Sequence, residues 1–253
     1  MMRFLTALSA AALTHAAAFA DDRPLAYVFD HTDKWTQSAH ATGLLSAAGF
    51  RVEPLPLDRS PFELLDSDLI FIASFATEDP RYAPYMEKYA SALFNYVDKG
   101  NVLVQMAQAD QTEAVPPFLP STHGARRCDD DSPTAVVLSP HNPLMTGVAS
   151  GTLSFHKART VWEAFSEQGG FEVIIAADDK AARPALMEGA YGQGRIILSA
   201  MAFDKTIEPG AGRTPEGDAA IDAFRAAFFR NLAAHVVNVR ERRTQALNIT
   251  SRA

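Results

Sequence analysis

Residues 68 to 106 open with Asp68-Leu69-Ile70-Phe71-Ile72-Ala73 and close with Asn101-Val102-Leu103-Val104-Gln105-Met106. Both runs are short, apolar and bounded by polar residues, the pattern of strands buried on two faces. Between them Tyr85, Tyr89, Leu93 and Tyr96 recur on one face of a helix that stops near Lys99-Gly100. A strand, a helix and a second buried strand make a crossover unit, which predicts a parallel sheet with helices on both faces.

The same alternation extends toward the amino end. Leu25-Ala26-Tyr27-Val28-Phe29 reads as a buried strand, and Ala41, Leu44, Leu45 and Ala48 stand at helical spacing before Gly49. Phe50 to Leu55 makes a further strand, and Pro61 to Leu65 a brief helical turn. Toward the carboxyl end the pattern breaks. Pro116, Pro117 and Pro120 cannot continue a helix, and Gly124 to Pro133 reads as a polar loop. Thr134–Leu138, Thr152–Phe155, Phe171–Ala176, Ala185–Tyr191 and Arg195–Ala200 read as strands, several of them antiparallel because their connections are too short for helical crossovers. Gly192 and Gly194 are hairpin glycines, since a strand rather than a helix follows them. In the last helix Thr214 can cap, Pro215 fits the first position, and Ile221, Phe224, Phe228, Leu232 and Val236 form one apolar stripe. After Val239 the chain turns polar and is expected to fray, so residues 240–253 are expected to form a tail behind a single domain of residues 21–239.

Composition agrees with a globular protein. The 253 residues are 47% hydrophobic and 21% charged, and 23 Lys plus Arg face 30 Asp plus Glu, a formal charge of −7. A nucleic-acid backbone needs the opposite sign, so no nucleic-acid partner is expected. Residues 1–20 carry Arg3, an apolar run from Phe4 to Phe19 and the small residues of Ala18-Phe19-Ala20, the layout of a secretory signal peptide. Nothing later is long and apolar enough to span a bilayer. The expectation is therefore a periplasmic or secreted protein without membrane contact after cleavage. Cys128 is the single cysteine and cannot form an internal disulfide.

Several segments together resemble the class I glutamine amidotransferase-like superfamily, particularly its ThuA-like (trehalose-utilisation) branch. They are Tyr27-Val28-Phe29-Asp30, Leu64 to Ile72, Val97 to Val104, His141-Asn142-Pro143-Leu144-Met145-Thr146-Gly147-Val148, and Ala190 to Ser199 followed by Phe203-Asp204. The resemblance implies a flavodoxin-like doubly wound, mostly parallel sheet with an antiparallel extension, and ligands at the carboxyl ends of the strands. It also implies a nucleophilic cysteine on a sharp turn after Val102–Met106. This chain continues Ala107-Gln108-Ala109-Asp110, with neither Cys nor Ser, so glutamine hydrolysis by the usual triad is not expected.

Candidate ligand-binding residues follow from the strand ends. Asp30 and His31 lie just beyond the first strand, with Asp33, Lys34 and Trp35 after them; Asp accepts from hydroxyl groups and Trp35 can stack on a sugar face, while helix capping by Asp30 or Asp33 with a packed Trp35 explains the same residues. Gln105, Gln108 and Asp110 end the fourth strand, and His141 and Asp204 follow later strands. His156 also ends a strand and His235 borders the core, but no metal-ligand spacing is present, so no metal and no cofactor are expected. Asp129, Asp130 and Asp131 lack the alternating spacing of a calcium loop, and Cys128 beside them reads as a solvated thiol. The leading expectation is an exported amidotransferase-like domain without glutaminase activity that binds a small polar ligand, a carbohydrate above all, or a partner protein. A sugar-modifying hydrolase or lyase using Asp and His acid–base groups, and a purely structural interaction module, are the alternatives.

Overall fold

A computed structural model describes residues 21–34, 36–106, 125–148, 152–164, 170–177, 184–205 and 215–250. Nine strands among these residues form one sheet in the order β2-β1-β3-β4-β9-β8-β7-β5-β6. β1 (Leu25–Phe29), β2 (Arg51–Pro54), β3 (Leu69–Ile72), β4 (Val102–Met106) and β9 (Gly194–Ser199) are mutually parallel. Their order is that of a flavodoxin-like sheet, with β9 in the fifth place. The remaining strands, β8 (Pro184–Tyr191), β7 (Phe171–Ala176), β5 (Ala125–Val137) and β6 (Thr152–Ala164), extend the sheet antiparallel. The fold class is α/β, as the sequence predicts.

Strand residues alternate between two buried layers, as the pleat requires. Ala26, Val28, Phe71, Val104 and Ile197 meet α1 (Ala41–Ala47) and α3 (Pro215–Thr250), while Tyr27, Phe29, Ile70, Leu103 and Leu198 meet α2 (Tyr82–Asp98). Burial on both faces explains why these strands read as continuous apolar runs. α1 ends in a Schellman turn: Phe50 N–H reaches Leu45 O and Gly49 N–H reaches Ser46 O, with Gly49 at φ +100°. The five residues of the expected stripe on α3 are all buried, and Phe203 packs edge-on against Phe224 and Phe228 at 5.3 and 4.6 Å.

Two expectations are corrected. The segment Gly124–Pro133 is not a loop beyond residue 124: from Ala125 it forms the first half of β5, where Cys128 pairs with Val161 and Asp129 with Thr160 of β6, itself longer than the expected Thr152–Phe155. The partner strand supplies the hydrogen bonds that a polar stretch of low strand propensity does not advertise by itself. Nor does the chain fray after Val239. α3 continues to Thr250, because Arg243 donates to Asn101 Oδ1 and, at 3.1 Å, to Asp68 Oδ1, and Arg240 reaches the carbonyl of Asp22 at 3.2 Å.

Candidate functional site

In an open parallel sheet, ligands sit where the strand order reverses, beyond the carboxyl ends of the strands. Here that place lies between β1 and β3, and the loops following β1, β3 and β9 converge on it. Among the described residues the two non-glycine left-handed positions, Gln37 (φ 51°) and Phe75 (φ 64°), both belong to these loops. Such conformations persist only where the surroundings hold them.

What holds them is a buried clasp. Asp204, fully buried after β9, accepts from Ser74 N–H at 2.8 Å and from Ser74 Oγ–H at 2.5 Å, fastening the loop after β9 to the loop after β3. Burial pushes the Asp204 carboxyl up, although the Ser74 bonds and the Lys205 charge pull against it. Lys205, equally buried, donates to the carbonyls of His31 and, at 2.9 Å, Ser38, and lies 3.6 Å from Asp33 Oδ2. It thereby fastens the loop after β1. Arg225 of α3 closes the clasp from outside by donating to the carbonyls of Phe203 at 2.6 Å and Lys205 at 2.9 Å.

A polar set faces outward from this clasp. His31 Nδ1 lies 3.4 Å from Asp79 Oδ2, and Asp79 also receives Arg81 through Nε at 2.9 Å and Nη2 at 2.7 Å. These guanidinium bonds bring the Asp79 carboxyl down to about 2 against the opposing effect of burial. Arg81 in turn lies over the Phe29 ring, 5.7 Å from its centroid. Deeper in, Tyr82 O–H donates to Gln105 Oε1 at 3.4 Å, and burial raises the Tyr82 hydroxyl well above its ordinary value. On the neighbouring turn Glu78 Oε1 is buried without a hydrogen-bond partner among the described residues.

The expected site residues therefore divide. His31 stands at the rim, and Gln105 is buried behind Tyr82. Asp30 is half-buried and serves α1, accepting from Thr42 N–H and Oγ–H, both at 3.1 Å, which is the capping alternative. Asp204 faces Ser74 rather than the open rim. His141 is exposed on the turn before Pro143–Met145 in the antiparallel half, away from the others. Trp35, Gln108 and Asp110 lie outside the described residues. Asp79, Arg81 and Lys205 are not among the residues the sequence singles out. Asp79 stands 48 positions from His31, and only the sheet brings the two together. Among the described residues no group of three or more His, Cys, Asp or Glu could hold a metal ion, and no helix is long and apolar enough to cross a membrane.

No family model and no curated protein matches the chain. Solved structures do. A GMP synthase-like protein from Thermoplasma acidophilum matches 88% of this chain and 98% of its own at 14% identity and TM-score 0.53. A ThuA-like protein from Bacteroides uniformis matches 85% and 94% at 12% identity and TM-score 0.51. At these identities the likeness is one of fold, a flavodoxin-like α/β sheet. A cytoplasmic protein from Salmonella typhimurium shares this fold over 84% of this chain and 98% of its own, at 14% identity and TM-score 0.52.

Proposed function

We propose that this chain is an exported amidotransferase-like domain that binds a small polyhydroxylated ligand at the rim formed by His31, Asp79 and Arg81, without hydrolysing glutamine. The observation that carries this reading is the orientation of His31 by a carboxylate that Arg81 keeps ionised. An imidazole and a guanidinium so held present fixed donors at the switch point, the arrangement that recognises hydroxyl oxygens. The name of the ThuA-like neighbour supports a sugar as the class of ligand, and residues 1–20 support export. The absence of Cys and Ser from residues 107–110 supports the loss of glutaminase chemistry.

A second reading rests on the same pair. An imidazole beside an ionised carboxylate is also a general base, so a sugar hydrolase or lyase acting through His31 is the alternative. The test is a thermal-shift screen of residues 21–253 against mono- and disaccharides, repeated with His31→Ala. A ligand at a hundredfold excess over its Kd stabilises by about 2.7 kcal/mol. A sugar shift lost in His31→Ala supports the site, and release of a new reducing end from that sugar selects the enzyme. No shift across the panel rejects the sugar site and leaves an interaction module. Mass determination of the mature amino terminus tests export separately.

A further inference from the structure

β5 and β6 run on past the rest of the sheet. β7 pairs with β5 only at Val136 and Val137, whereas the ladder between β5 and β6 continues back to Ala125 opposite Ala164. Residues 125–132 and their partners on β6 thus form a two-stranded arm, and among the described residues no strand pairs with the second edge of β5 along it. A two-stranded hairpin is marginal in water, and an unpaired edge is a template for another strand.

That edge carries Arg126-Arg127-Cys128-Asp129-Asp130, in which the sign of charge reverses about Cys128. Within the arm Arg126 stands opposite Glu163, but Arg127 and Asp129 stand opposite Trp162 and Thr160, which carry no charge. Strand residues alternate between faces, so Arg127 and Asp129 share one face. Regular pairing with β6 ends at Asp129, because the register shifts between it and Ser132.

A second copy can extend this edge as an antiparallel strand related by a two-fold axis perpendicular to the sheet. Such an axis keeps every residue on its own face, so one residue of the new ladder must stand opposite itself. With Arg126 or Arg127 at the centre, arginine is set against arginine. With Asp129 there, aspartate is set against aspartate. With Cys128 at the centre, Arg127 of each copy stands in register with Asp129 of the other, twice over by symmetry, and Arg126 is aligned with Asp130. Opposite charges directly across a ladder stabilise it and like charges oppose it, so the charge pattern selects the register about Cys128 and rejects its neighbours.

We propose that two copies of this chain join through the open edge of β5, antiparallel and in register about Cys128, so that two hairpins become one four-stranded sheet. The occupant is a second copy because the charge order complements itself. β5 and β6 lie at the opposite end of the strand order from β1 and β3, so the dimer does not rest on the ligand reading of the His31 rim.

The test is sedimentation equilibrium of residues 21–253 at micromolar concentrations. The unaltered chain is expected to be a dimer. Arg127→Asp and Asp129→Arg, each alone, place like charges opposite one another at both symmetric positions and should raise the dimer Kd about tenfold or more. Mixed in equal amounts, the two variants should pair with each other as tightly as the unaltered chain pairs with itself. Oxidised glutathione added to the unaltered chain should trap a dimer linked through Cys128, the new S–S bond forming as one glutathione disulfide is reduced to two thiols. Circular dichroism checks the fold of each variant, and if either fails to fold, the trapping of the unaltered chain decides. A monomeric unaltered chain overturns the proposal and leaves the edge to a strand of another protein. A dimer indifferent to both reversals, a mixture of folded variants that stays monomeric, or a dimer that glutathione does not link through Cys128 overturns it as well.

Discussion

Ser74 gives both its backbone N–H and its hydroxyl to the Asp204 carboxylate, a pair of bonds that joins residues 130 positions apart at a site closed to solvent. Removing the carboxylate leaves two buried donors without an acceptor. Asp204→Ala is expected to destabilise the protein by about 2–4 kcal/mol in urea denaturation. Asp204→Asn keeps one carbonyl oxygen and should cost less. Because burial raises the Asp204 carboxyl in the folded state, its share of stability is full below the ordinary value of 3.8 and lost as pH rises through the raised one. Asp204→Asn should therefore flatten the fall in stability on the alkaline side of pH 4.

Asp79 has the opposite sign. Its carboxyl is held down to about 2, so it contributes stability above its ordinary 3.8 and loses that contribution as pH falls through about 2. Arg81→Ala is expected to move the Asp79 titration up toward 3.8, read by carbon-13 carboxyl shifts, and to loosen His31 with it.

The sequence foretells these partners unevenly, for physical reasons. The units from Leu25 to Met106 are legible because each is a local period of buried residues, and the left-handed position of Gly49 is announced by its place after the last helical turn. Asp79, Arg81 and Lys205 carry no such signal. Asp79 meets His31, and Lys205 meets Asp33, only through the crossover topology, so neither spacing nor composition points to them. The reverse holds for Asp30, whose place after a strand suggests a ligand while its Oδ2 serves Thr42 and its Oδ1 accepts from His31 N–H. The first half of β5 has the look of a loop because its polar residues gain their strand state only from pairing with β6.

The hairpin between β8 and β9 is pressed against the end of α2. A Cβ on Gly194 would lie 2.2 Å from the carbonyl oxygens of both Val97 and Asn101. Backbone atoms cannot yield as a flexible side chain would. Gly194→Ala is expected to cost about 3 kcal/mol, with a matching fall in Tm, whereas alanine at Gly43, where nothing lies within 4 Å, should be tolerated.

Asp68, buried at 5% exposure, accepts from Leu25 N–H at 3.0 Å and is neutralised by Arg243 at 3.1 Å and Arg240 at 3.5 Å. A chain ending at Val239 keeps the carboxylate and loses both cations. Its stability should fall by about 3 kcal/mol, and Asp68→Asn should restore part of the loss, as measured by chemical denaturation.

The bond from Arg240 to the Asp22 carbonyl places the first described residues beside the far end of α3, at the mouth of β1 where Leu25 begins. The His31 rim lies beyond the other end of that strand, about 16 Å along its five residues. Anything joined to residue 21, whether a membrane tether, an export machine or a fused domain, grips the molecule by its base and leaves the rim pointing outward, so the protein can be anchored by its start without shading that face.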